Sequence, residues 1–291
     1  ADSDDSGTTS PGLVYLFTGS ASGLSATPAW SHKNDQQSSG FASKLSGAGD
    51  VNGDGYADII VGAYTYDNPE MTEGKVFVFH GSSTGPAASP DWTAESNIAD
   101  VRFGESVSGA GDLNGNGFDD IVIGAPYYAN GETEEGRVYV YTGSPGGLYT
   151  APAWYRESDA LYARYGECLS SGDFNGDGFS DILAGAPMLD STPDDGGRVF
   201  IHFGSGPAIL ISGNSLEITN GDTTPQTADY TDFGTTGTGS TGVLMVFTVE
   251  NTGTSNLSIS NIATGGTHPD AFRAVSFPAD IAPGDNGTLS V

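Results

Sequence analysis

Three short stretches crowd oxygen-bearing side chains more densely than the rest of the chain: "DVNGDGYAD" from Asp50, "DLNGNGFDD" from Asp112 and "DFNGDGFSD" from Asp173. All fit the pattern D-x-N-x-[DN]-G-[YF]-x-D. Side-chain oxygens stand at loop positions 1, 3, 5 and 9. They belong to Asp50, Asn52, Asp54 and Asp58, to Asp112, Asn114, Asn116 and Asp120, and to Asp173, Asn175, Asp177 and Asp181. Position 7, held by Tyr56, Phe118 and Phe179, can add a backbone carbonyl. Glycine at position 6 suits a sharp turn that needs positive φ. Carboxylates this close repel one another, and a divalent ion about 2.4 Å from several oxygens removes that cost while crosslinking the loop. The donors are hard oxygens without His or Cys beside them, so Ca2+ is favoured over Mg2+, which demands a stricter octahedron. Up to three such sites are expected. The second carries Asn116 where the others carry Asp54 and Asp177, so it has fewer ligand charges and should load last. An EF-hand is excluded, because position 12 is Val61, Ile123 or Ala184 rather than Glu, and the flanks read as strands. The plainer alternative is an Asx-rich turn that binds nothing. Three copies in phase argue against it.

The copies belong to a longer repeat. Their first aspartates lie 62 and 61 residues apart. "GLVYLFTGS" at Gly12, "GKVFVFHGS" at Gly74, "GRVYVYTGS" at Gly136 and "GRVFIHFGS" at Gly197 keep the same step, as do Trp30, Trp92 and Trp154, and Phe41, Phe103 and Tyr165. One unit reads as a short strand after the aromatic, the acid loop, an apolar strand ("DIIVGA"), a variable loop, an alternating strand, a Gly/Ser/Pro turn and a strand near Trp. Four strands in about 60 residues make one propeller blade, which buries its faces only against its neighbours. The fold class is therefore all-β. The units are expected at 41–98, 103–160 and 165–206, the last without its final strand, with a half unit at 12–38 and a polar linker at 1–11.

These residues resemble the FG-GAP repeats of the integrin alpha-chain propeller. Phe103-Gly104 and Gly124-Ala125-Pro126 carry the family's signature at both ends of one unit, and Tyr165-Gly166 with Gly185-Ala186-Pro187 does so nearly. The first unit departs from it, with Phe41-Ala42 and Gly62-Ala63-Tyr64. The resemblance covers residues 12–206. It implies that the position-9 carboxylates Asp58, Asp120 and Asp181 are ligands and that the loops serve a structural role. It further implies that partners are read on another face. The strands do not tile a small closed ring, so an open arc of a larger propeller is expected, with end blades that expose apolar faces.

The bulk numbers agree with this reading. The chain has 291 residues, 36% hydrophobic and 16% charged, with 44 Gly, a mix that fits short strands and tight turns. Asp and Glu number 37 against 9 Lys and Arg, a net charge of −28, which repels phosphate backbones and anionic lipid surfaces. Nucleic acid is set aside as a partner, and no apolar run is long enough for membrane insertion. The single Cys168 excludes an intrachain disulfide and reads as an inert small residue. "GSSTG" at Gly81 mimics a hydrolase nucleophile motif, but equivalent turns replace Ser83 by Ala21 and Pro145. "GTGSTG" at Gly237 precedes a strand rather than a helix, so it is no dinucleotide site. His32, His80, His202 and His268 show no metal or catalytic spacing. The tryptophans could form a sugar-stacking row, although blade packing is the better reading.

After residue 206 the repeat stops. Residues 209–291 show short strands: "SLEIT", "VLMVFTVEN", "NLSISNI", "AFRAV" and "DIAPGDNGTLSV". "VFTVENTGTSNLSISNI" followed by "IAPGDNG" is similar to the Hydin-like, choice-of-anchor D immunoglobulin-like domains of bacterial surface and secreted proteins. That implies a β-sandwich acting as a spacer, here short of a strand or two, as in an excerpt of a longer protein. Asn256 and Asn286 stand in N-x-[ST] sequons. The sequence thus points to a non-enzymatic, calcium-binding adhesion or recognition protein, secreted or at the cell surface, with an extracellular protein or glycan ligand. The alternative is a carbohydrate-binding or accessory module of a secreted hydrolase.

Overall fold

The computed structural model describes residues 11–189, 196–205, 209–214, 216–218, 244–251, 257–259, 275–282 and 285–290. Among these residues every regular element is a β-strand. Among them no helix is long and apolar enough to cross a membrane. The chain divides into two compact units. One holds the described residues up to Leu113 together with Gly117–Gly204, the other Asn114–Asn116 and the described residues from Ser205 onward.

In the first unit, β1 (Leu13–Leu16) pairs with β4 (Trp30–Lys33), and β2 (Gly19–Ser20) with β3 (Gly23–Leu24) form a small hairpin between them. Two four-stranded antiparallel meanders follow: β5 (Lys44–Gly49), β6 (Asp58–Ala63), β7 (Lys75–Phe79) and β8 (Trp92–Glu95), then β9 (Ser106–Gly111), β10 (Asp120–Ala125), β11 (Arg137–Tyr141) and β12 (Trp154–Glu157). A three-stranded sheet of β13 (Cys168–Gly172), β14 (Asp181–Ala186) and β15 (Arg198–His202) completes the series. Strand count and order within each sheet match the sequence reading, including the two-stranded start and the three-stranded end.

The alternation of each third strand explains how the sheets stack. In β7 the side chains of Val76 and Val78 enter a core shared with Ile121, Ile123, Phe103, Tyr139 and Tyr141 of the next blade. The other face, Phe77 and Phe79, packs with Val14 and Phe41 toward the preceding half blade. Val138 and Val140 of β11 repeat the first arrangement against Tyr165, Ile182 and Ala184. Strands β6 and β10 read as continuous apolar runs because neighbouring blades cover both their faces. Each fully buried Val or Ile here contributes about 1.5–3 kcal/mol of burial. The opening aromatic of every unit meets the same partner edge-on: Phe41 with Phe77 at 5.3 Å, Phe103 with Tyr139 at 5.2 Å and Tyr165 with Phe200 at 5.3 Å between centroids.

The signature glycines have a steric cause. A Cβ built on Gly62 would land on the carbonyl oxygen of Gly104 in the next blade, and one on Gly124 would land on that of Gly166. At Gly185, which no further blade follows among the described residues, the nearest atom is Cβ of Cys168 at 3.4 Å, an ordinary contact. Trp30 and Trp92 use their indole N–H groups within this scaffold, donating to the carbonyls of Ala87 at 3.0 Å and Tyr149 at 3.2 Å. The ring of Trp92 is buried edge-on against Tyr141, and Trp154 is half-buried against His202. These are the contacts of blade packing.

The second unit contains a four-stranded antiparallel sheet in the order β17 (Leu216–Ile218), β16 (Ile209–Gly213), β18 (Val246–Asn251), β21 (Asn286–Ser290), and a two-stranded pair, β19 (Leu257–Ser258) with β20 (Asp280–Ile281). Val249, Leu257 and Ile281 form its buried cluster, joined by Ile259 and Leu289. Strand β16 was not among the expected strands, because "ILISG" fell at the supposed boundary. The "AFRAV" stretch (apart from Val275), "GTGSTG", His268, Asn256 and most of the linker at 1–11 lie outside the described residues.

Candidate metal centre

Each acid loop joins the first and second strands of its blade. In the first, Asp50 folds its carboxylate back over its own turn. Oδ1 accepts from the N–H groups of Gly53 at 2.8 Å and Asp54 at 3.0 Å, and Oδ2 from that of Gly55 at 2.8 Å. Asn52 Oδ1 accepts from the same Asp54 N–H at 3.0 Å, and its Nδ2 donates to Asp54 Oδ2 at 3.2 Å. Asp54 Oδ1 in turn accepts from the N–H of Tyr56 at 2.9 Å. The third loop reproduces this set with Asp173, Asn175, Asp177 and Phe179. In the second, Asp112 Oδ2 accepts from Gly117 N–H at 2.8 Å and Asn114 Oδ1 from Asn116 N–H at 3.0 Å. Position 6 has φ of +89°, +86° and +93° at Gly55, Gly117 and Gly178, the left-handed conformation that glycine tolerates. In the first and third loops positions 1, 3 and 5 are thereby gathered around one turn.

Position 9 is placed differently. Asp58, Asp120 and Asp181 are buried at the start of the second strand. Asp58 Oδ2 accepts from Val51 N–H at 2.9 Å and Oδ1 from Gly81 N–H at 2.7 Å. Asp120 does the same with Leu113 and Gly143, and Asp181 with Phe174 and Gly204. Each therefore ties its loop to the turn after the third strand of the same blade. Burial pushes the carboxyl of Asp120 up to about 7, opposed by the N–H groups of Gly143 and Leu113; burial likewise raises Asp58. Each oxygen of these position-9 carboxylates keeps a further lone pair beyond these bonds, whereas Asp50 Oδ1 and Asp173 Oδ1 already accept two. The loops' donors are all oxygen, of the kind that suits a hard cation, and in the first and third loops positions 1, 3 and 5 share backbone donors around one turn.

Sequence reasoning missed position 8. Asp119 Oδ2 accepts from Asp50 N–H at 2.7 Å, while Asp119 N–H donates to Asp50 carbonyl O at 3.1 Å. Ser180 N–H donates to the carbonyl of Asp112 at 3.1 Å, and Ser144 N–H to that of Val51 at 3.1 Å. The loops of successive blades are thus bonded directly to one another. The signal was present: position 8 is polar in the second and third loops, which bond to the loop before them, and is Ala57 in the first.

Among the described residues, one trio of acids brings carboxylate oxygens within 4.8 Å of one another: Glu135, Glu157 and Asp159, at the far end of the second blade. Arg137 pairs there with Glu157 and also contacts Tyr128 Oη. The first blade has the matching pair Lys75–Glu95 at 2.5 Å. This end is organised by ion pairs, and burial raises both Glu73 and Glu135 above the usual carboxylate range.

The FG-GAP repeat model matches residues 41–79, 103–141 and 166–202. The chain is 30% identical over 204 residues to integrin alpha-5 of Xenopus laevis, covering 65% of this chain and 19% of that protein. It is 34% identical over 186 residues to integrin alpha-PS2 of Drosophila melanogaster, covering 59% and 12%. It is 31% identical over 170 residues to the human phosphatidylinositol-glycan-specific phospholipase D, covering 55% and 20%. The chain therefore spans a fifth or less of these relatives. The three segments matched by the FG-GAP repeat model fall on the successive sheets that begin at β5, β9 and β13.

Proposed function

We propose that these FG-GAP blades form a calcium-stabilised recognition module of a secreted or cell-surface protein, without catalysis of its own. The observation that carries this reading is the wrapped loop: Asp50, Asn52 and Asp54, like Asp173, Asn175 and Asp177, converge on one turn through shared backbone donors. Held there, Ca2+ would take Asp50, Asn52, Asp54, the carbonyl of Tyr56 and Asp58, with the matching residues of the second and third loops. Its contribution is electrostatic: it cancels repulsion among carboxylates in a chain of net charge −28. Because Asp50 and Asp112 are bonded to the next loop, an ion at one loop also stiffens the contact between blades.

The integrin alpha relatives support an extracellular adhesion or recognition role with a protein ligand. The all-β tail, with its two small sheets, is proposed to be the immunoglobulin-like spacer that its sequence resembles. A second reading draws on the phospholipase D relative: the blades would be the accessory, glycan- or lipid-anchor-directed part of a secreted hydrolase. Thermal unfolding with Ca2+ and with chelator tests the leading reading. Saturation to 100 times Kd adds about 2.7 kcal/mol per site, so the melting temperature should rise clearly with Ca2+. Superimposable curves would overturn it.

A further inference from the structure

We propose that Glu135, Glu157 and Asp159, at the end of the second blade opposite its acid loop, form a second kind of cation site, one for a partly hydrated divalent ion of the Mg2+ or Mn2+ type.

Two independent observations point there. One carboxylate oxygen of each of these residues lies within 4.8 Å of the other two. Oxygens on opposite sides of one divalent ion stand about 4–5 Å apart, so a single ion can touch all three. The second observation is Glu135 itself. It is 1% exposed, and its Oε2 is buried without a hydrogen-bond partner. Oε1 is held by the N–H of Asn130. A buried carboxylate oxygen left unpaired destabilises the fold, and a cation beside it removes that cost. The local charge agrees. Arg137 pairs with Glu157 and lies over the rings of Tyr128 and Tyr155, 3.6 and 4.3 Å from their centroids. One guanidinium against three ionised carboxylates leaves two negative charges, which a divalent ion balances.

The first blade supplies a natural control, because it carries the same frame without the third acid. Glu73 is buried there with both oxygens unpartnered, and Lys75 pairs with Glu95 at 2.5 Å. Asn68 Nδ2 donates to Glu95 at 2.9 Å, as Asn130 Nδ2 does to Glu157 at 3.2 Å. The hydroxyls of Ser96 and Ser158 donate to the carbonyls of Glu73 and Glu135 at 2.7 and 2.6 Å. The next residue differs: Asn97 in the first blade, Asp159 in the second, both in the left-handed conformation at φ of +55° and +52°. The third blade has Gly196 where the others have Glu73 and Glu135. The full acid set therefore belongs to the second blade. Asp159 is exposed and Glu157 half-buried, so the ion would keep several waters. That suits Mg2+ or Mn2+ better than the Ca2+ proposed for the wrapped loops. The inference stands apart from the reading of those loops.

The test uses the full chain loaded with three equivalents of Ca2+ and titrated with Mn2+, whose free ion is counted by electron paramagnetic resonance. One Mn2+ per chain should bind, and Mg2+ should displace it. Asp159→Asn, at an exposed position, should weaken binding by about tenfold or more through the lost ligand charge. Glu135→Gln should do the same, with melting in the absence of Mn2+ as the check on folding. Asn97→Asp should give the first blade a Mn2+ site of its own. Asp50→Asn should leave binding at Asp159 unchanged, which separates this site from the acid loops. Failure to bind Mn2+ overturns the proposal, Glu135 then being kept neutral by a proton. Mn2+ uptake that neither Asp159→Asn nor Glu135→Gln weakens also overturns it.

Discussion

The same glycine-to-alanine change should have opposite consequences in successive blades. At Gly124 a new Cβ would overlap the carbonyl oxygen of Gly166 and the hydroxyl of Ser106, which itself donates to Gly166 at 2.5 Å. The obstacle is backbone, held by the Gly166 N–H bond to the Gly185 carbonyl at 2.9 Å, so it cannot swing aside as a side chain would. Overpacking of this kind costs about 1–3 kcal/mol, with the upper end expected against a fixed carbonyl. At Gly185 the new methyl meets only Cβ of Cys168 at 3.4 Å, and neither glycine needs positive φ. There the smaller entropy of the unfolded chain should yield a gain of about 0.4–1 kcal/mol. The two variants should therefore differ by about 2–4 kcal/mol, close to 4–16 °C in melting temperature for a unit of this size. Urea titration and calorimetry of Gly62→Ala, Gly124→Ala and Gly185→Ala measure this. Equal losses at Gly124 and Gly185 would refute the claim that the signature glycine exists to admit the next blade.

Two further outcomes follow from the same packing. Burial holds Glu73 and Glu135 above their unfolded value of 4.5, with nearby Glu95 and Glu157 raising them further. The folded state binds these protons more tightly than the unfolded one, so their contribution to stability is full below 4.5 and is lost as pH rises through the raised values. Urea midpoints at constant Ca2+ should fall over that window, and Glu73→Gln should flatten the slope; an unchanged slope counts against it. Trp92→Ala removes a buried ring and its bond to Tyr149, costing about 3–5 kcal/mol in stability. On a glycan array it should change nothing beyond the loss of fold, whereas a folded variant that has lost glycan binding would favour the hydrolase-module reading.

The strand order of each blade was legible because four markers recur in phase, and a repeat reports on itself several times. The alternation in "KVFVF" announced two buried faces, although not which neighbour covers each. What the sequence hid is relational. Asp119 and Ser180 act between units, so reading one unit at a time gives them no role. Asp58 stands at loop position 9 and at the first residue of a largely buried strand; the spacing revealed the first fact and left its bonds to Val51 and Gly81 unread. Cys168 is exposed while its counterpart Ser106 is buried, because Ser106 meets the next blade and none follows Cys168 among the described residues. In the tail no motif recurs, so β16 was overlooked where the repeat ends.

Equilibrium dialysis with radioactive calcium addresses the metal loops most directly. The chelator-stripped chain should take up three ions, the loop containing Asn116 filling last, and Asp50→Asn, Asp112→Asn and Asp173→Asn should each remove one. Uptake of no calcium by the folded chain, or the same uptake by all three variants, would contradict the account.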